Sequence, residues 1–162
     1  MTISVGDRLP GASLLRMGAG GPEAVDLGAR LAGRRVVLFG LPGAFTGTCS
    51  TMHVPGFIRA LPALRARGVD EVICVAVNDP YVLAAWEEAT GARAAGILTL
   101  GDADAAFTRA IGMTFSYPPK GFHDRSRRYA LCAVDGVVTV FNPEPPGSEC
   151  EVASGERMVA SL

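Results

Sequence analysis

The run Glu71-Val-Ile-Cys-Val-Ala-Val77 constrains the fold more than any other stretch of the chain. Its apolar residues follow one another without alternation, so neither face of a strand built from them suits water. Such a strand belongs in the middle of a parallel sheet, with helices above and below. Arg35-Val-Val-Leu-Phe39 and Ile97-Leu-Thr-Leu100 read as its neighbours in kind. Helical signals lie between and beyond them. Asn78-Asp79-Pro80 is a helix start, with a side-chain acceptor at the cap and proline in the first turn. The helix it opens, residues 81–90, stops at Gly91. Asp102 or Asp104 opens another that runs to Ile111 and ends at Gly112. A longer helix is expected from about Thr48 to Arg67, kinked or broken near Val54 because Pro55 and Pro62 lie inside it.

The flanks are less regular. In the Gly-rich residues 1–33, Leu14-Leu15 and Val25-Asp-Leu27 can form short strands, with Asp26 capping a helical turn that reaches Leu31. An aromatic, Pro-rich loop is expected from Phe115 to Phe122. Residues 128–134 and 137–141 are expected to form a β-hairpin, with Asp135-Gly136 supplying the positive φ of its turn. A Pro/Gly loop over 142–150 and a closing helix over 154–162 complete the chain. The order β-α-β-α-β-α, then β-β-α, predicts an α/β fold: a central mixed β-sheet with helices on both faces, the hairpin forming an antiparallel edge. No linker, repeat or composition shift divides the 162 residues, so a single domain, 1–162, is expected.

Charge is balanced, 15 basic against 16 acidic residues, which gives no footing for nucleic acid or an anionic membrane surface. No apolar run approaches a membrane span. The start of the chain lacks a basic end followed by an apolar core, so a reducing cytoplasm is the expected location, with the four cysteines available for chemistry rather than paired.

One of those cysteines has a distinctive setting. Gly40-Leu-Pro-Gly-Ala-Phe-Thr-Gly-Thr-Cys49 leads from the strand at 35–39 into the long helix, and its glycines and proline force a tight loop. Cys49 falls in the first turn of the helix, where unpaired N–H groups and a partial positive charge favour a thiolate. Position alone equally allows a small buried hydrophobe. His53 follows by four residues and can share a helix face with Cys49. That spacing invites a Cys–His peptidase or half a zinc site, but no C-x-x-C completes a metal cage and no third group is in view, so a satisfied structural histidine is expected.

Pro42-Gly-Ala-Phe-Thr46-Gly-Thr-Cys49 resembles the P-x-x-x-T-x-x-C signature of peroxiredoxins, and the run on to Phe57 resembles the type II, peroxiredoxin-5-like group. Val75-Ala-Val-Asn-Asp-Pro-Tyr-Val82, Trp86 and Arg125-Ser-Arg-Arg-Tyr-Ala130 before the Asp135-Gly136 turn match the same group. The resemblance covers nearly the whole chain. It departs at Gly47, where the family usually has proline, and in the aromatic segment from Met113 to His123. It implies a thioredoxin-like fold and a thiol-dependent peroxidase acting on hydrogen peroxide and small organic hydroperoxides, without a cofactor. The alternative on the same fold is a non-catalytic redox sensor or interaction module.

On this resemblance Cys49 is the peroxidatic nucleophile, Thr46 hydrogen-bonds the peroxide, and Pro42 shapes the loop and shields the sulfur. Arg128, directly before Tyr129, matches the family's active-site arginine, while Arg125 and Arg127 are expected to be solvated; alternation along a strand would put Arg127 and Arg128 on opposite faces. Cys74 reads as a buried strand thiol, although in plant-like members a cysteine at the matching place takes part in resolution. Cys150 lies in the general region of other members' resolving cysteine without their local pattern, and Cys132 is expected in the core. The implied partners are glutaredoxin/glutathione or thioredoxin as reductant, and a second copy in a homodimer.

Overall fold

A computed structural model describes the backbone of residues 1–162 and every side chain except that of Cys49. The apolar run becomes β4 (Glu71–Ala76), lying between two parallel neighbours, β3 (Arg35–Leu41) and β5 (Leu98–Gly101). Beyond β5 the sheet continues through β1 (Ser13–Gly18), antiparallel to β5, and β2 (Gly21–Asp26), which pairs with β1 in a hairpin. The C-terminal hairpin adds β8 (Tyr129–Val134) and β9 (Val137–Pro143) beyond β3, all antiparallel, giving the order β2-β1-β5-β4-β3-β8-β9. Only β9 of that hairpin is an edge. β8 lies inside the sheet, and its buried residues Tyr129–Ala133 fit that place.

Each face of the sheet carries its own core. On one, Phe39 and Cys74 meet Phe57, Leu61 and Leu64 of α2 (Val54–Ala66), Leu83 and Trp86 of α3 (Pro80–Thr90), and Met158 of α6 (Gly155–Ser161). On the other, Leu38, Ile73 and Leu100 meet Leu27 and Leu31 of α1 (Leu27–Leu31) and Phe107 near the start of α5 (Ala106–Ala110). A short α4 (Ala92–Ala95) follows α3. Strict alternation along β3 and β4 feeds both cores, which is why their sequences show no polar face.

The helix starts follow the chemistry read from sequence. Asp79 Oδ1 accepts from Val82 N at 2.9 Å, and Asp26 Oδ1 accepts from Ala29 N at 3.3 Å. Asp102 works from farther back: its buried carboxylate accepts from Phe107 N, Thr108 N and Thr108 Oγ1.

Two expectations need correction. The segment around Phe115–Phe122 is not only a loop: β6 (Thr114–Tyr117) and β7 (Phe122–Ser126) pair across a 3₁₀ turn at Pro118–Lys120. The prolines hid the hairpin because they occupy the turn, where no ladder N–H is required. The second concerns Arg127 and Arg128, which stand in the link between β7 and β8 rather than within a strand. They do part company as expected, Arg127 exposed and Arg128 half-buried.

Candidate active site

The loop after β3 is held from two sides and braced from within. Ala44 N donates to Asn78 Oδ1 at 2.9 Å, and Arg125 Nη1 donates to the Pro42 carbonyl at 2.9 Å. Within the loop, Thr46 Oγ1 donates to the Gly43 carbonyl at 2.6 Å. Gly43 takes φ 146°, and a Cβ there would collide with Arg125 Nη1 and crowd Asn78 Oδ1, so both conformation and close approach demand glycine. The sequence expectation for Arg125 was therefore wrong. It braces the loop, and its guanidinium also lies over the Phe122 ring at 5.4 Å.

Gly47 takes φ 72°, and its carbonyl accepts from Ser50 N at 2.9 Å and Thr51 N at 3.0 Å. Proline, locked near −65°, does not fit this backbone. The proline that the family usually carries at this place is therefore excluded here by the positive φ.

The long helix does not begin as an α-helix. Cys49–His53 form a π-helical turn, and α2 follows from Val54. Pro55 supplies no N–H to the carbonyl four residues back, and a wider turn accommodates the loss. The break expected near Val54 thus takes the form of a change of helix type. The turn is anchored by Trp86, whose indole Nε1–H donates to Ser50 Oγ at 2.7 Å. Cys49 opens this turn, and its side chain lies outside the described residues.

His53 closes the turn and is fully buried. Its ring sits 4.8 Å from Phe39 and 5.5 Å from Phe57, centre to centre, while those two phenyl rings stack at 4.2 Å. Both ring nitrogens are engaged. Nδ1 lies 2.9 Å from Arg128 Nη1, and Nε2 lies 2.8 Å from the Ala153 carbonyl. A guanidinium only donates and a carbonyl only accepts, so the imidazole is neutral, with its proton on Nε2. Burial first, and the Arg128 charge second, push its pKa down to about 3 against the opposing pull of the Ala153 carbonyl.

The structure thus sorts the three arginines. Arg128 meets the turn that begins at Cys49, Arg125 holds the loop at Pro42, and the guanidinium of exposed Arg127 makes a long bond, 3.4 Å, to the Thr114 carbonyl. Beside Arg128 a groove of about 680 Å³ opens between Pro42 and Phe115, Tyr117, Pro145 and Pro146. Cys74 is buried in β4 opposite Phe39 and Thr99, and Cys132 is buried in β8, where burial pushes its thiol up against the hydrogen bond with Thr139 and the charge of Arg35. Cys150 is 8% exposed at the end of the loop that follows β9.

Sequence reasoning missed Asn78 as a loop anchor, Arg125 as a brace, and Glu144. The Glu144 carboxylate gathers the C-terminal loop by accepting from Ser148 Oγ at 2.5 Å, Glu151 N at 3.1 Å and Ala153 N at 2.7 Å. Burial alone would raise that carboxyl, but these hydrogen bonds, with a further one from Val152 N, hold it below the usual carboxylate range. A lone acid among prolines carries no local pattern from which this role could be read.

In this sheet order, Cys49 opens a π-helical turn, and Arg128 meets that turn at His53 from the link ahead of β8. The chain matches the Redoxin family over residues 4–159. It is 47% identical over 165 residues to peroxiredoxin-2E-2, chloroplastic, of Oryza sativa subsp. japonica, covering 99% of this chain and 73% of that one. It is 38% identical over 161 residues to peroxiredoxin-2B of Arabidopsis thaliana, covering 99% and 98%. Among solved structures, reduced Prx3 of Vibrio vulnificus in complex with hydrogen peroxide superposes with a TM-score of 0.91 at 42% identity, covering 99% of each chain. This chain belongs to the peroxiredoxin family, and it is a thiol-dependent peroxidase.

Proposed function

We propose that Cys49 is the nucleophile of this peroxidase and that Arg128, Thr46 and Pro42 complete its site. The observation that carries the assignment is the contact of Arg128 with His53, on the same π-helical turn that Cys49 opens. The Cys49 thiolate attacks one peroxide oxygen, the O–O bond breaks, and sulfur keeps that oxygen as a sulfenic acid. The other oxygen leaves as alkoxide or hydroxide and takes a proton, giving alcohol or water. Arg128 places a permanent positive charge beside the reacting atoms, which favours the thiolate and the charge growing on the leaving oxygen. The Thr46 proton is directed to the Gly43 carbonyl, so its oxygen offers lone pairs to a peroxide O–H. Pro42 has no N–H and gives the loop a fixed shape on the side where the groove opens.

The substrates proposed are hydrogen peroxide and small organic hydroperoxides. Hydrogen peroxide is what the Vibrio vulnificus relative holds, and the apolar groove walls Phe115, Tyr117, Pro145 and Pro146 suit a short alkyl tail. The sulfenic acid is returned to thiol by glutaredoxin/glutathione or thioredoxin in a reducing compartment, the cytoplasm being the one proposed. Cys74 is not assigned as resolving partner, because its place in the centre of the sheet suits a core thiol. One equivalent of peroxide is expected to leave a sulfenic acid that persists until thiol is added. Mass spectrometry of the trapped product, together with peroxide consumption run in parallel on glutaredoxin/glutathione and on thioredoxin, tests this. An intramolecular disulfide would reassign Cys74 or Cys150, and turnover with neither reductant would overturn the recycling route.

The active form is proposed to be a homodimer. Phe45, at φ 60°, is 58% exposed, and Tyr117 on the groove wall is 49% exposed; Tyr81, three residues past the loop anchor Asn78, is 66% exposed. Aromatic side chains gathered around one loop are the kind of surface a second copy covers. Sedimentation is expected to give twice the chain mass, and a monomer at high concentration would count against it.

A further inference from the structure

We infer that His53 and Glu144 are positioning residues for Arg128, joined to it in a closed ring of hydrogen bonds that sets the guanidinium before peroxide arrives. The inference rests on the role proposed for Arg128. The ring can be followed atom by atom. Arg128 Nη1 donates to His53 Nδ1 at 2.9 Å, and His53 Nε2–H donates to the Ala153 carbonyl at 2.8 Å. Ala153 N donates to Glu144 Oε2 at 2.7 Å, and Glu144 N donates to the Arg128 carbonyl at 2.9 Å.

Four segments meet in this ring: the π-helical turn, the link before β8, the end of β9 and the residues ahead of α6. The π-helical turn is far in sequence from the other three, with a separation of 75 from His53 to Arg128 and of 100 from His53 to Ala153. The ring therefore exists only in the folded chain and ties the C-terminal loop to the active-site arginine. An arginine side chain left to itself samples many rotamers and must be ordered when substrate binds. Here one Nη is tied to a ring that cannot turn, because the imidazole is enclosed by Phe39 and Phe57 and held at both nitrogens. Glu144 acts one step further out. Its main chain fixes the Arg128 backbone, and its carboxylate fixes the carbonyl-bearing residue against which His53 is set.

The test uses the full-length protein and the pre-steady-state rate of Cys49 oxidation by hydrogen peroxide, followed through Trp86, the only tryptophan, which is bonded to Ser50 in the same turn. His53→Leu keeps the volume and loses both bonds. His53→Asn can place an amide oxygen where Nδ1 stands and so keeps the bond to Arg128. His53→Leu is expected to slow oxidation roughly 10- to 30-fold, the share carried by an arginine's rotamer freedom, and His53→Asn is expected to recover most of that loss. In an Arg128→Ala background, His53→Leu is expected to cause no further slowing, because the two act as one unit. Should His53→Leu fail to fold, Glu144→Gln, altered only in the loop, reads the same coupling and is expected to slow oxidation about 3- to 10-fold in the parent and not at all in Arg128→Ala. If folded His53→Leu, or Glu144→Gln in its stead, oxidises at the parent rate while Arg128→Ala is slow, the ring does not position Arg128 and the inference falls. If the slowing is the same with and without Arg128, these residues act on folding alone, and it falls again. If Arg128→Ala itself oxidises at the parent rate, the assignment of Arg128 is what has failed.

Discussion

Cys49→Ser is expected to consume no peroxide, and Arg128→Ala to oxidise at Cys49 about 10²- to 10³-fold more slowly than the parent. The first follows from the chemistry, since a hydroxyl oxygen in place of sulfur is neither ionised near neutral pH nor able to hold the transferred oxygen as a reducible acid. The second follows from the size of effect seen when one preorganised charge or donor is taken from a developing anion. The neighbouring arginines are the controls. Arg127 is exposed and its guanidinium makes a long hydrogen bond to the Thr114 carbonyl, so Arg127→Ala is expected to keep the parent rate. Arg125→Ala is expected to fall between, because it frees the Pro42 carbonyl and loosens the loop without removing the charge on the turn. Stopped-flow oxidation rates for the three variants decide the matter, and equal losses would mean that the cluster acts only as diffuse positive charge. Arg128→Ala is also expected to lose stability by about 1–3 kcal/mol, because the buried His53 Nδ1 is left without its donor.

Much of the fold could be read from the sequence because its signals are local. The unbroken apolar run of β4, the Asp79-Pro80 helix start and the Asp135-Gly136 turn each carry their cause within a few residues. The hairpin at β6 and β7 was not legible, since its prolines suggest a loop whenever the turn's position is unknown. The same division holds at the site. Cys49, Thr46 and Pro42 lie in one short motif and could be proposed together. The bracing by Arg125 and Asn78 joins segments remote in sequence, and Glu144 gathers an irregular loop ahead of it with no repeating pattern, so nothing near any of them reports the partner. Gly47 shows the limit of transfer between relatives. Gly47 stands here at φ 72°, a conformation closed to proline, although the signature this motif resembles usually carries proline there.

Acid is expected to destabilise the folded protein from about pH 6.5 downward, earlier than its carboxylates would require. His53 in the fold has its pKa lowered to about 3, whereas in the unfolded chain it titrates near the ordinary imidazole value of 6.5. Below pH 6.5 the unfolded chain therefore takes up a proton that the folded chain refuses. Stability then falls with pH by about 1.4 kcal/mol per unit, to a total of about 5 kcal/mol as the folded pKa is reached. A loss of that size is comparable with the whole stability of many domains. Glu144, whose pKa is also lowered, adds a loss in the same direction, but only once the pH approaches the ordinary carboxylate range. Between pH 6.5 and about 5 the slope should therefore belong mainly to His53. Urea unfolding at several pH values in that window measures it. His53→Gln is expected to lower stability at pH 7 and to flatten the slope, since it has no proton to gain. Arg128→Ala is expected to keep most of the slope, because burial outranks the arginine's charge in lowering the pKa. A flat profile in the parent protein would mean that His53 accepts a proton within the fold. That state cannot accept a hydrogen bond from Arg128 at Nδ1, and the geometry drawn for the active site would fail with it.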